Sequence, residues 1–231
     1  MNKKPVAILI SGRGSNMSAL IEATRDRDYP VEIVGVISNR ADAKGLGIAA
    51  AAGIETKVIA PKDHPGKEAL DAALDEALRA MGAEIVCLAG YMRLLTPGFV
   101  EKWAGRIINI HPSLLPLFKG LETHRRAIEA GMRVHGCTVH FVTAEMDDGP
   151  IIAQAVVPVL PADGEDDLTR RVLAVEHQLY PLALKLVAEG KARMTGGRTV
   201  FSGSFNGSGS LVAPIAGEEA FDIESLARMT P

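Results

Sequence analysis

Residues 6–25 read VAILISGRGSNMSALIEATR. The apolar residues Val6 to Ile10 make a run short enough for a buried strand. The run stops at Ser11, and Gly12 and Gly14 then allow a tight turn. From Ser15 a helical pattern follows. Strand, glycine turn and helix in succession leave the backbone N–H groups of Gly14, Ser15 and Asn16 at a helix N-terminus, an anion site suited to a phosphate. The same unit recurs down the chain. VEIVGVIS (31–38) precedes DAKGLGIAAAAG, TKVIA (56–60) precedes KEALDAALDEALRAMG, EIVCLAG (84–90) precedes TPGFVEKW, and RIINI follows at 106–110. This β-α-β-α rhythm predicts an α/β fold: a mostly parallel twisted sheet with helices on both faces and a Rossmann-like N-terminal half.

After Pro116 the pattern changes. THRRAIEAG reads as a helix. GCTVHFVT and IIAQAVVPV read as antiparallel strands joined through the turn-rich EMDDGP. DDLTRRVLAVEHQLYPLALKLVAEG reads as a long helix with acids in its first turn, and Pro181 is expected to kink or break it. From Thr195 the chain turns Gly/Ser-rich, with two short edge strands expected and the last dozen residues disordered or loosely packed. The expected organisation is one domain over 1–194, with a phosphate-binding half (1–100) and a catalytic half (101–194), followed by an extension at 195–231.

Composition narrows the function. The net charge of −3 does not suggest a nucleic-acid or membrane-surface binder. No run approaches the roughly 18 apolar residues of a membrane span, and the N-terminal apolar run is too short for a secretory signal. The two cysteines, Cys87 and Cys137, lie in strand-like runs and read as reduced, buried thiols of a cytoplasmic protein. The glycine loop does not suit a dinucleotide. Met17 stands where the third glycine of G-x-G-x-x-G falls, and Ser38-Asn39-Arg40 stands where an acidic ribose ligand is expected. Arg40 leaves an NADP enzyme open as a minor reading. A monophosphate fits the loop better.

RIINIHPSLLP (106–116) carries the chemistry. On an extended strand Ile108 and Ile110 share one face, while Ile107, Asn109 and His111 share the other. Asn109 and His111 therefore point the same way at the carboxyl end of a strand, the edge at which the glycine loop also opens. Asp147 or Asp148, in the EMDDGP turn, can return to pair with His111 and favour its imidazolium. An imidazolium beside an Asn amide aims two donors at one point, which is what a tetrahedral oxyanion needs. The bland alternatives are a hydrogen-bonded core histidine and an ordinary Asp-Asp-Gly-Pro turn.

The runs ILISGRGSNMSALIEA, AGYMRLLTPGFV, INIHPSLLP and HFVTAEMDDGPIIAQ occur in that order. From about Val6 to Gly190 the sequence resembles the phosphoribosylglycinamide formyltransferases, a family of folate-dependent formyltransferases. The Asn-x-His-Pro-Ser-Leu-Leu-Pro run and the downstream Asp-x-Gly-Pro mark folate-dependent formyltransferases as a group. The Gly-x-Gly-Ser-Asn loop and the chain length narrow the resemblance to this member. It implies Asn109, His111 and Asp147 as the catalytic three. It implies Gly14, Ser15, Asn16 and Glu176 as contacts of the substrate phosphoribosylglycinamide. It also implies Lys67, Met92, Arg93, Leu94, Leu95 and Asn109 as contacts of the cosubstrate 10-formyltetrahydrofolate, a cis peptide at Leu115-Pro116, no metal, and a monomer or homodimer. A helical count puts Glu176 at about 80° from the Leu168/Leu186 stripe, on its border.

Three positions depart from the family pattern. Lys67 stands where some members carry Arg, Leu173 where some carry Gln, and Asp148 where glycine is common. The chemistry implied is direct attack of the amine on the formyl carbon, with neither Ser113 nor Cys87 placed beside a base. Two relatives share the Asn-His-Asp core. Methionyl-tRNA formyltransferase adds an RNA-binding domain, whereas residues 195–231 here carry a net charge of −2 that repels tRNA. Formyltetrahydrofolate deformylase adds an N-terminal regulatory domain, whereas this chain starts at its first strand. A metal hydrolase is disfavoured, since no HxH or HExxH occurs. Arg125-Arg126 reads as a solvated helix face, and His124 and His140 read equally as structural or functional.

Overall fold

The computed structural model describes residues 3–203 and Ala213. The elements in chain order are β1 (Lys4–Ile10), α1 (Ser15–Ala23), β2 (Val31–Ser38), α2 (Lys44–Ala51), β3 (Thr56–Val58), α3 (Lys67–Ala80), β4 (Ile85–Leu88), α4 (Pro97–Lys102), β5 (Ile107–His111), α5 (Thr123–Glu129), β6 (Val134–Phe141), β7 (Ile151–Pro158), α6 (Glu165–Ala188), β8 (Ala192–Thr195) and β9 (Arg198–Phe201). The first seven strands form one sheet in the order β3-β2-β1-β4-β5-β6-β7. Strands β1 to β5 are mutually parallel, and β6 and β7 are added antiparallel. This is the α/β sheet the sequence rhythm predicts. The strand order reverses between β1 and β4, and a crevice opens at such a switch point beyond the carboxyl ends of the strands.

Alternation along the strands sorts the core into two layers. Val6, Ile8, Ile10, Ile108 and Ile110 pack with residues of α1, α2 and α6 on one face. Ala7, Leu9, Val86 and Ile107 pack with α3 and α4 on the other. Trp103 is buried against Phe99 in that second layer, and its Nε1 donates to Asp75 at 2.9 Å.

Two features differ from the sequence reading. Helix α6 runs unbroken through Pro181. Its buried stripe (Leu168, Val172, Leu179, Tyr180, Ala183, Leu184) continues on both sides of the proline, so packing holds the helix where propensity disfavours it. The Pro181 carbonyl also accepts a hydrogen bond from the Tyr29 hydroxyl at 2.7 Å. Strands β8 and β9 form a separate two-stranded hairpin across Gly196-Gly197, so Thr195 ends a strand. The rest of the Gly/Ser-rich extension, with its second expected edge strand and its last dozen residues, lies outside the described residues.

Candidate active site

The site grows from the carboxyl ends of β1, β4 and β5. After β1, Gly14 takes φ 77°, and a Cβ there would stand 2.9 Å from Gly45 Cα, so only glycine lets the starts of α1 and α2 meet so closely. Asn16, in the first turn of α1, donates through Nδ2 to Glu176 Oε2 at 2.7 Å, and its buried Oδ1 has no partner. Glu176 lies within the buried stripe of α6, not on its border. Burial raises its pKa, against the opposing hydrogen bond from Asn16. One helical turn on, the Tyr180 hydroxyl meets the Leu88 and Ile108 carbonyls at 2.9 and 3.1 Å, holding the last rung of β4 and β5 beside Asn109.

His111 is fixed by a bond from Nε2 to the Phe118 carbonyl at 3.0 Å. A carbonyl only accepts, so Nε2 carries a proton there. Nδ1 then stands 3.4 Å from Asp147 Oδ2, and it donates only when the ring is an imidazolium. Asn109 is paired directly across β5 and β6 with His140. His140 Nδ1 donates to the Phe141 carbonyl at 2.8 Å, which leaves Nε2 as an acceptor 3.3 Å from Asn109 Nδ2. Burial lowers the His140 pKa and keeps the ring neutral in that role. The Asn109 amide is thereby oriented, with its second N–H still available. His140 thus holds the Asn109 amide, a contact the sequence leaves open because strand register is not legible in a single chain.

Asp147 adopts φ 51°, a left-handed conformation that Asp tolerates better than most residues. The Gly120 N–H donates to its Oδ2 at 2.9 Å, and Oδ1 lies 3.9 Å from His140 Nε2. Gly149 closes the turn, since a Cβ there would fall 1.7 Å from the Phe141 carbonyl oxygen. The other non-glycine residues with positive φ among those described, Phe118 and Glu122, lie in the loop between β5 and α5 that carries Gly120. That loop is well tied. Ser113 Oγ donates to the Leu117 carbonyl at 2.6 Å, Lys119 pairs with Asp148, and Arg126 donates to the Lys119 carbonyl at 2.7 Å. Arg126 is therefore a loop anchor and not a solvated face. The Leu115-Pro116 peptide is cis.

A cavity of about 860 Å³ joins these groups. Asn109, His111 and Asp147 line it with Asn16, Glu176, Leu173 and the segment Met92 to Leu95. Gly14 and Ser15 stand beside Asn16 at the head of α1 but outside the cavity wall. Lys67 also lies outside it, at the exposed first turn of α3, where its carbonyl receives a hydrogen bond from Arg93 at 3.2 Å. Arg40 is held by Asp42 at 3.0 and 2.7 Å, so the fork an NADP 2′-phosphate would need is already occupied. Burial pushes both Cys87 and Cys137 up to about 12, so neither is a thiolate at neutral pH. Ser113 is buried with its hydroxyl spent on Leu117.

Beneath the loop, His135 is buried, its Nε2 has no partner, and its ring packs edge-on against His124 with centroids 5.4 Å apart. Burial first, and the neighbouring His124 next, push His135 down to about 4 from 6.5. The unfolded chain takes up a proton near 6.5 but the folded chain only near 4. His135 therefore stabilises the fold fully above that window, and the contribution is lost as pH falls through it. His135→Phe should reduce the acid-side loss of stability by about 3 kcal/mol. Urea unfolding at the two ends of the window measures this, and an unchanged loss would contradict it.

Residues 4–184 match the formyl transferase family model. The chain is 47% identical over 189 residues to a phosphoribosylglycinamide formyltransferase of Escherichia coli, covering 82% of this chain and 89% of that one. It resembles the crystal structure of glycinamide ribonucleotide transformylase 1 from Symbiobacterium toebii with a TM-score of 0.84 at 49% identity, over 86% of this chain and 94% of that one. It is also 52% identical to the trifunctional purine biosynthetic protein adenosine-3 of Drosophila pseudoobscura over 83% of this chain, but it spans only 14% of that protein's length. The chain belongs to the formyl transferase family and, within it, to the phosphoribosylglycinamide formyltransferases.

Proposed function

We propose that this protein transfers the formyl group of 10-formyltetrahydrofolate to the primary amine of phosphoribosylglycinamide, a step of purine biosynthesis. The observation that carries the reading is the meeting of an oriented amide (Asn109), an anchored imidazole (His111) and a carboxylate (Asp147) in one cavity that also reaches Asn16 and Glu176. The site residues implied by resemblance enter on that geometry. The phosphate of the substrate lies at the head of α1, where Gly14 and Ser15 offer backbone N–H groups outside the cavity wall, and Glu176 and Asn16 meet the rest of the molecule. The folate lies along Met92 to Leu95.

The neutral amine attacks the formyl carbon. A C–N bond forms and the carbonyl becomes an oxyanion, which accepts from Asn109 Nδ2–H and from His111 Nδ1–H of the imidazolium, a proton that the 3.4 Å separation from Asp147 Oδ2 leaves uncommitted. Asp147 takes a proton from the amine nitrogen and delivers it, through water, to N10 of the folate as the C–N10 bond breaks. Tetrahydrofolate and formylated substrate leave, and no enzyme atom is acylated. The state of the two thiols and of Ser113 supports this direct route.

The test supplies both substrates and follows release of tetrahydrofolate with and without the amine. Release that requires the amine, with one formylated product for each folate released, is expected. Equal release without the amine would replace the proposal with hydrolysis of the formylfolate.

A further inference from the structure

The buried stripe of α3 is Leu70, Leu74, Ala77 and Leu78, and Asp71 lies within it, 3% exposed. A carboxylate so placed must be paired. Two groups of the segment 90–96 pair with it. The Arg93 guanidinium bonds Oδ1, and the Thr96 backbone N–H donates to Oδ2 at 2.7 Å. The Arg93 side chain is only 10% exposed. Nearer the start of the segment, the Met92 N–H donates to Ser11 Oγ at 2.8 Å. Between and beside these anchors Met92 and Leu94, 65% and 63% exposed, present apolar side chains along the cavity wall.

We infer that Asp71 is a positioning residue for the formylfolate: by gripping Arg93 and Thr96 from behind, it holds the segment 90–96 in the shape that the cosubstrate lies against. The inference rests on the function proposed above. Arg93 acts within this brace. Its charge is met by Asp71, so it is not the partner of an anionic group on the folate. A freely pointing Arg93 would instead meet the carboxylates of the folate's glutamate tail.

The experiment uses the full chain, Arg93→Met and Asp71→Asn, and two cosubstrates: 10-formyltetrahydrofolate and the 10-formyltetrahydropteroate that lacks glutamate. The wild-type rate tests the proposed function, and the variant-to-wild-type ratios test this inference. Both variants are expected to raise KM by about tenfold with either cosubstrate, with kcat and the KM for phosphoribosylglycinamide little changed. The double variant should be no worse than the weaker single. If Asp71→Asn does not fold, Asp71→Leu combined with Arg93→Met, which leaves no lone buried charge, should show the same rise. A rise confined to Arg93→Met and to the glutamate-bearing folate would make Arg93 a direct ligand and overturn the inference. Unchanged KM values, or a loss in kcat alone, would also overturn it.

Discussion

His111→Ala and Asn109→Ala should each lower kcat by two to three decades while the protein stays folded, with KM values changed much less. In the proposed reaction each side chain offers one N–H to the oxygen that becomes negative only as the amine attacks, and removing such a donor costs about 3–4 kcal/mol of transition-state stabilisation. The folded state loses little by comparison. Asn109 contributes a 3.3 Å contact with His140, and His111 a single bond to the Phe118 carbonyl, in a loop that Ser113 and Arg126 also hold through the Leu117 and Lys119 carbonyls. Steady-state formyl transfer together with thermal unfolding separates the two effects. A variant with near wild-type turnover would remove that residue from the site.

Asp147→Asn should lower kcat by two to four decades, the range expected if, as proposed, Asp147 moves a proton in the transition state that the amide can no longer accept. The amide oxygen can still accept from the Gly120 N–H, so the turn keeps its shape. The amide also removes the carboxylate charge 3.4 Å from His111 Nδ1. The adjacent Asp148 provides the control. Its ion pair with Lys119 is half exposed, and such pairs contribute about 1 kcal/mol or less. Asp148→Gly should therefore change kcat less than about fivefold. Equal losses at 147 and 148 would mean that the turn matters only for its shape.

Much of this was legible in the residues. The period of two along RIINIH puts Asn109 and His111 on the face opposite Ile108 and Ile110, and the core packs that way. The glycine turn after VAILI leads into α1 as its pattern demands. The choice of Asp147 over Asp148 came from resemblance, because a turn carries no periodicity by which to orient two adjacent acids. His140 was ambiguous because its role depends on the register of β6 against β5. Asp71 is less legible, although its spacing to Leu74 and Leu78 puts it on the buried stripe. An acid in a helix is read as solvated by default, and its partner lies 22 positions away. At the C-terminus, the shift to Gly and Ser outweighed a real hairpin signal, Gly196-Gly197 between ARMT and RTVF.

In the proposed reaction Asn109 and His111 act on one atom at one moment. Single-turnover formyl transfer by Asn109→Ala, His111→Ala and the double variant tests it most directly. Two donors sharing one oxyanion should lose less together than the product of their separate losses, with the double variant within about tenfold of the slower single. Losses that multiply in full would place the two side chains at separate points of the reaction and rule out a shared oxyanion.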